Sequence, residues 1–193
     1  MDIGDIGNPA GVLLACVVLP LWLLAGLADW MCHRASAIEH SSGVAESRIH
    51  VLLALEIGAP LLLALWLEPN AFLFALATLG IALHAVTNAL ELRFVTARRD
   101  ISPAEQQVHG LLEVLPLAAL LLLASSHWPQ FSALFGAGGE APVLVPVRRH
   151  EPLPSAAIAA VLLAILMFNA LPLAEELWRC HRARRAAAPP TEL

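Results

Sequence analysis

Five stretches of this chain are apolar for long enough to cross a lipid bilayer, and that property decides most of what the sequence can fold into. They run from about Ala10 to Trp30, His50 to Leu67, Ala71 to Leu90, Val108 to Ala124 and Ser155 to Trp178. Each is close to the ~20 residues that span a hydrocarbon core ~30 Å thick. An open sheet leaves backbone groups unpaired in lipid, so all five are predicted as helices. Composition agrees: 59% of residues are hydrophobic and 14% charged, against about half and about a quarter in a soluble domain. The expectation is one all-α integral membrane domain over residues 1–193, with a basic tail at 179–193.

Arginine placement predicts the orientation. Arg34 and Arg48 fall between the first two spans, Arg93, Arg98 and Arg99 between the third and fourth, and Arg179, Arg182, Arg184 and Arg185 after the fifth. The positive-inside rule puts these regions in the cytoplasm, the C-terminus with them and the N-terminus outside. Arg148 and Arg149 dissent. They lie in the Gly- and Pro-rich stretch from Trp128 to Pro154, predicted as a long outer loop with room for a short interfacial segment. Met1 to Asn8 is acidic and lacks the positive region of a signal peptide, so the first span is expected to stay in place. A bacterial inner membrane is the expected location.

Histidines and carboxylates recur at helical spacing beside the predicted cytoplasmic ends of the spans. Asp29 and His33, Glu46 and His50, Glu105 and His109, and His109 and Glu113 are each four apart, which places both members on one helix face. His84, Asn88 and Glu91 are spaced four and then three, again one face. Ionisable groups at membrane depth are costly unless paired, hydrated or bound to metal. Convergence of such donors from four helices is how carboxylate-bridged di-metal sites are built in bundles. The predicted ligands are therefore Asp29, His33, Glu46, His50, His84, Glu91, Glu105, His109 and Glu113, with Glu39, His40 and Asn88 as further candidates. Two divalent cations, or three, would use this many donors. Nitrogen and oxygen ligands favour iron and remain compatible with zinc or manganese. Cys16, Cys32 and Cys180 form no CxxC pair, which speaks against disulfide frameworks and thiolate zinc sites.

Several residues have plainer readings. Ser102-Pro103-Ala104-Glu105 matches a capped helix start, and Glu46 would favour a helix N-terminus through its dipole. Glu39 and His40 sit in a short polar loop where solvation suffices. His127, His150 and His181 lie outside the set. Glu175 and Glu176 precede Arg179 and Arg182 by about a turn, so ion pairing is the simpler account. Pro20, Pro60, Pro116 and Pro172 interrupt four spans and should bend them. Glu56, His84 and Glu113 stand among apolar neighbours, and metal or substrate contact explains them best.

In general plan the chain resembles the integral-membrane fatty acid hydroxylases and desaturases, whose di-iron centres lie at the cytoplasmic ends of their helices. Their HxxxH and HxxHH boxes do not occur here, so the resemblance implies architecture and carries over no residue. The Asp29 to Glu113 pattern, with Ile38-Glu39 and Glu105-Gln106-Gln107-Val108-His109, is also similar to bacterial membrane proteins that imply no activity. The leading expectation is a non-haem di-iron oxidoreductase acting on a lipid or other apolar molecule and served by an electron-transfer partner, with Glu56 or Asn88 as a proton relay. A zinc-dependent membrane hydrolase is the second, with Glu113 or Glu56 as general base. Proton or metal transport, or metal delivery, is the third. Nucleic acid is not an expected partner, and no phosphate-binding motif is present.

Overall fold

The computed structural model describes residues 9–187, so the acidic segment 1–8 and the tail end 188–193 lie outside the described residues. Five helices among the described residues are long and apolar enough to span a membrane. They are α1 (Pro9–Ala35), α2 (Gly43–Ala64), α3 (Ala71–Thr96), α4 (Pro103–Ser126) and, after the short α5 (Trp128–Ala133), α6 (Ser155–Ala186). Every long helix outruns the apolar stretch that announces it at the end bearing the His and acid residues. The fifth continues through the predicted tail as far as Ala186. At these ends His33, Glu46, Glu91, Glu105 and Glu176 turn into the bundle, whereas Arg182, Arg184 and Arg185 of the extended tail are exposed.

Local signals account for the helix ends. Asn70 caps α3 by accepting from Leu73 N at 3.2 Å, and Ser102 caps α4 by accepting from Glu105 N at 3.2 Å, each satisfying a donor that the first helical turn leaves free. Two of the prolines act as expected. Cys16 and Phe168, four residues before Pro20 and Pro172, lie within π-helical turns at Leu14–Val18 and Leu166–Ala170. The i−5 bonding of such turns absorbs the missing amide of a proline. Pro60 and Pro116 are carried inside α2 and α4.

The extensive helix contacts are α2 with α3, α1 with α4, and α2 with α6, whereas α3 and α4 meet more sparsely. Gly80 lets α3 approach α2 so closely that a Cβ there would run into the Glu56 carbonyl oxygen. Apolar side chains such as Leu55, Val86, Val114 and Leu163 point outward, and the most deeply buried residues include His33, Glu46, Glu105 and Glu176. Apolar outside and ionisable inside is the arrangement expected of helices bathed in lipid.

The two ends of the bundle differ. At one end the turn before α3 is covered by the 128–154 region: Leu67 pairs with Arg148, Glu68 N donates to Val147 O at 2.8 Å, and Arg149 Nη2 donates to Ala64 O at 3.0 Å. Arg149 thus caps the last turn of α2, which explains a basic residue on the side opposite to the other arginines. The predicted short segment in this region is α5, whose Phe131 packs on Phe74. At the other end the C-termini of α1, α3 and α6 meet the N-termini of α2 and α4.

Candidate metal centre

Helical periodicity aims the donors of α1, α2 and α4 inward at this second end. Asp29 and His33 come from the last turns of α1, Glu46 and His50 from the first turns of α2, Glu91 from α3, and Glu105 and His109 from the start of α4. The structure brings these seven together. His109 Nε2 is 2.9 Å from Asp29 Oδ1; His33 Nε2 is 3.6 Å from Asp29 Oδ1 and 3.4 Å from Glu105 Oε1. His50 Nε2 is 2.5 Å from Glu91 Oε1 and 3.9 Å from Glu46 Oε1. Two sets of three offer donor atoms within 4.8 Å of one another: Asp29, His33 and His109, and His33, Glu46 and His50. His33 belongs to both.

A carboxylate absent from the predicted set organises the two central imidazoles. Glu176 of α6 accepts from His33 Nδ1 at 3.0 Å through Oε2 and from His50 Nδ1 at 2.7 Å through Oε1. A carboxylate acceptor at Nδ1 fixes the tautomer with a proton there, so the Nε2 lone pair is free to bind a cation. Among the described residues, buried His33 Nε2, His50 Nε2, Asp29 Oδ1 and Glu91 Oε1 face one another and their neighbours as imidazole–carboxylate contacts, and with the imidazole proton held at Nδ1 these contacts are not hydrogen bonds. Buried polar atoms in native structures are satisfied, and a cation shared by these donors, or a proton on each Nε2, would satisfy them. Donors bound to one cation at ~2.0–2.2 Å lie about 3–3.5 Å apart, which is the spacing found here for several pairs.

Arg99 closes the group from the α3–α4 linker. Its Nη2 donates to Glu46 Oε1 at 2.6 Å and also to Glu105, while Nη1 donates to Glu105 Oε2 at 3.0 Å. Burial opposes this charge, but the bonds to Glu105 and Glu46 outweigh it and hold the guanidinium above its ordinary range. One guanidinium cannot balance Asp29, Glu46, Glu91, Glu105 and Glu176, so with neutral imidazoles the group is strongly anionic. Protonating both His33 and His50 is the alternative charge balance: the stacked rings, 4.2 Å apart, would repel one another, and the carboxylates at 2.5 to 3.6 Å would offset that repulsion.

Other candidates are placed elsewhere. His84 Nδ1 lies 3.3 Å from Leu53 O, two turns along α3 from Glu91, and Glu113 accepts from Asn88 at the α3–α4 seam. Neither joins the seven, and nor do Asn88 or Glu56, because each lies deeper along its helix. Glu39 is paired with Arg179, and His40 is exposed. Glu105 serves both readings: its amide is capped by Ser102 while its carboxylate is buried against Arg99 and His33. Glu175 does pair with Arg179, as well as with Arg34 and Trp30, but Glu176 turns about 100° further round the helix and faces the histidines. That angular separation is the signal by which Glu176 could have been found. Arg99 read only as a marker of orientation. Cys16, Cys32 and Cys180 are free thiols, and neither three-donor set includes one.

No family model matches the chain, and no curated protein or solved structure matches it either. Fold and site together define a five-helix apolar bundle with a buried His/carboxylate group able to hold a metal ion.

Proposed function

We propose that this protein is an integral membrane metalloprotein with two cations at the polar end of its bundle, and that it works as a non-haem di-iron oxidoreductase on a lipid or other apolar molecule. The observation that carries the reading is the pairing of His33 and His50 through Glu176, which turns both Nε2 atoms toward Asp29, Glu91, Glu46 and Glu105. Asp29, His33, Glu105 and His109 would hold one ion; His50, Glu91 and Glu46 would hold the other. Carboxylates between two cations offset their mutual repulsion. The arginines gathered at this end favour a cytoplasmic placement in a bacterial inner membrane.

When bound, two irons supply the redox capacity that protein side chains lack. Hydroxylation of a C–H bond puts one atom of dioxygen into the product and the other into water, and it draws two electrons from an electron-transfer partner together with two protons. The chain's own part is to orient the imidazoles, to balance charge through Arg99 and to keep the surroundings apolar.

The set Asp29, His33 and His109 favours a second reading, because three donors and an open position suit one hydrolytic zinc. Metal analysis of the purified protein with spectroscopy for coupled iron decides between them. Two coupled irons per chain support the oxidoreductase, one zinc supports the hydrolase, and no metal under any loading condition overturns both.

A further inference from the structure

Deeper in the bundle than the metal centre, α2, α3 and α4 share a second polar group in surroundings that are otherwise apolar. Thr87 Oγ1 donates to Glu56 Oε1 at 2.7 Å, and His84 Nδ1 stands 3.9 Å from Glu56 Oε2. The Glu56 side chain is 8% exposed, and among the described residues its Oε2 has no hydrogen-bond partner. On the lipid side of the same group, Asn88 donates to Glu113, an exposed residue of α4. His84, Asn88 and the centre's Glu91 lie on one face of α3, Asn88 and Glu91 being separated by about 4.5 Å of helix rise.

Glu113 is neither a cap nor a surface charge. Leu83, Val86 and Leu90 on α3 and Leu111, Val114 and Leu117 on α4 are all exposed, as residues that meet lipid are. A carboxylate set in such a frame is costly unless something polar covers it. Glu113 keeps acceptor capacity beyond the bond from Asn88, and Glu56 keeps a whole oxygen, so what covers them has to bring hydrogen-bond donors. The apolar frame requires the rest of that molecule to be apolar. α3 packs on α4 more sparsely than it does on α2.

We propose that the α3–α4 seam, through Glu113, Asn88, Glu56 and His84, binds the donor-bearing head, an alcohol or amine, of a long-chain amphiphile that enters sideways from the bilayer. The inference rests on the metal-centre reading only where it makes this amphiphile the substrate.

The test uses the full chain in lipid nanodiscs and a long-chain diazirine probe ending in a primary alcohol, beside the same probe ending in a methyl ether, which accepts but cannot donate. Light-induced labelling is mapped by peptide, and metal content is measured on the same sample. The expected result is labelling of residues 83–90 and 111–117 at least about tenfold stronger with the alcohol, the usual value of a hydrogen bond to a charged group. Glu113→Leu, a change that lipid tolerates, should abolish the difference with helical content unchanged. Asn88→Leu serves the same purpose should the first variant misfold. Equal labelling by both probes, label spread over all lipid-facing helices, or chain-to-chain crosslinks filling the seam would each overturn the proposal. Head-selective labelling without bound metal keeps the seam and removes the metal centre; bound metal without selectivity does the reverse.

Discussion

The imidazoles of His33 and His50 lie face to face, ring centres 4.2 Å apart and planes 6° from parallel, although they stand on different helices. Glu176 holds both by Nδ1, so one carboxylate from α6 sets the direction of two nitrogen ligands at once. Glu176→Gln keeps size but can accept at only one of the two positions. Its metal affinity should fall about ten- to a hundredfold, the usual cost of losing a partner behind a ligand. Competition against a chelator of known affinity measures this, and an unchanged constant would count against the assignment.

His33 stands in both three-donor sets, whereas His109 and His50 each stand in one. His33 Nε2 has one lone pair to give, so His33→Asn and His109→Asn should each lose the same ion, His50→Asn the other, and the His109→Asn/His50→Asn double variant both. Elemental analysis after dialysis gives the stoichiometry. No further loss in the double variant would show a single ion in place of two.

Removing the Arg99 guanidinium leaves Glu46 and Glu105 buried without their cation. Arg99→Gln should destabilise the metal-free protein by about 3–5 kcal/mol, as breaking a buried pair does, and added divalent metal should restore part of the loss. Thermal unfolding with and without metal makes the comparison. The guanidinium is held above its ordinary range, so its stabilisation is complete below that range and is lost only as pH climbs through the raised value. The difference between wild type and variant that is due to Arg99 should therefore stay flat across neutral pH.

Gly80 faces the Glu56 carbonyl across the α2–α3 contact, while Gly58 has open space around its Cα. Gly80→Ala should cost about 1–3 kcal/mol through overpacking, and Gly58→Ala should cost nothing. Unfolding in detergent, followed by circular dichroism, reads both.

Control substitutions follow from the residues left outside the donor group. His40→Ala removes an exposed ring and Glu39→Ala a partner of Arg179. Both should retain full metal content by elemental analysis. Loss of an ion in His40→Ala would mean that the loop after α1 folds over the centre.

The spans and the pairs Asp29/His33, Glu46/His50 and Glu105/His109 were legible because both depend on local period, about twenty apolar residues for a span and four residues for one helix face. Glu176 was not, since its partners lie 143 and 126 residues away in sequence and a nearer arginine offered a sufficient account. His84 and Glu113 share helices and periodicity with true members of the group. Depth along the helix axis separates them from it, and period does not encode depth relative to neighbouring helices. The helix ends were set too short for a related reason: hydropathy marks where lipid contact stops, and the polar turns of α1, α2 and α4 continue as helix because they face each other.

Glu176 is also the last of the cluster's side chains to be synthesised. When only the first four spans have been delivered, every imidazole of the cluster is already present, together with Asp29, Glu91 and Glu105, but the acceptor for both Nδ1 atoms is still missing. On the two-ion proposal, a nascent chain stalled before the final helix would hold its ligands with the two central rings free to turn.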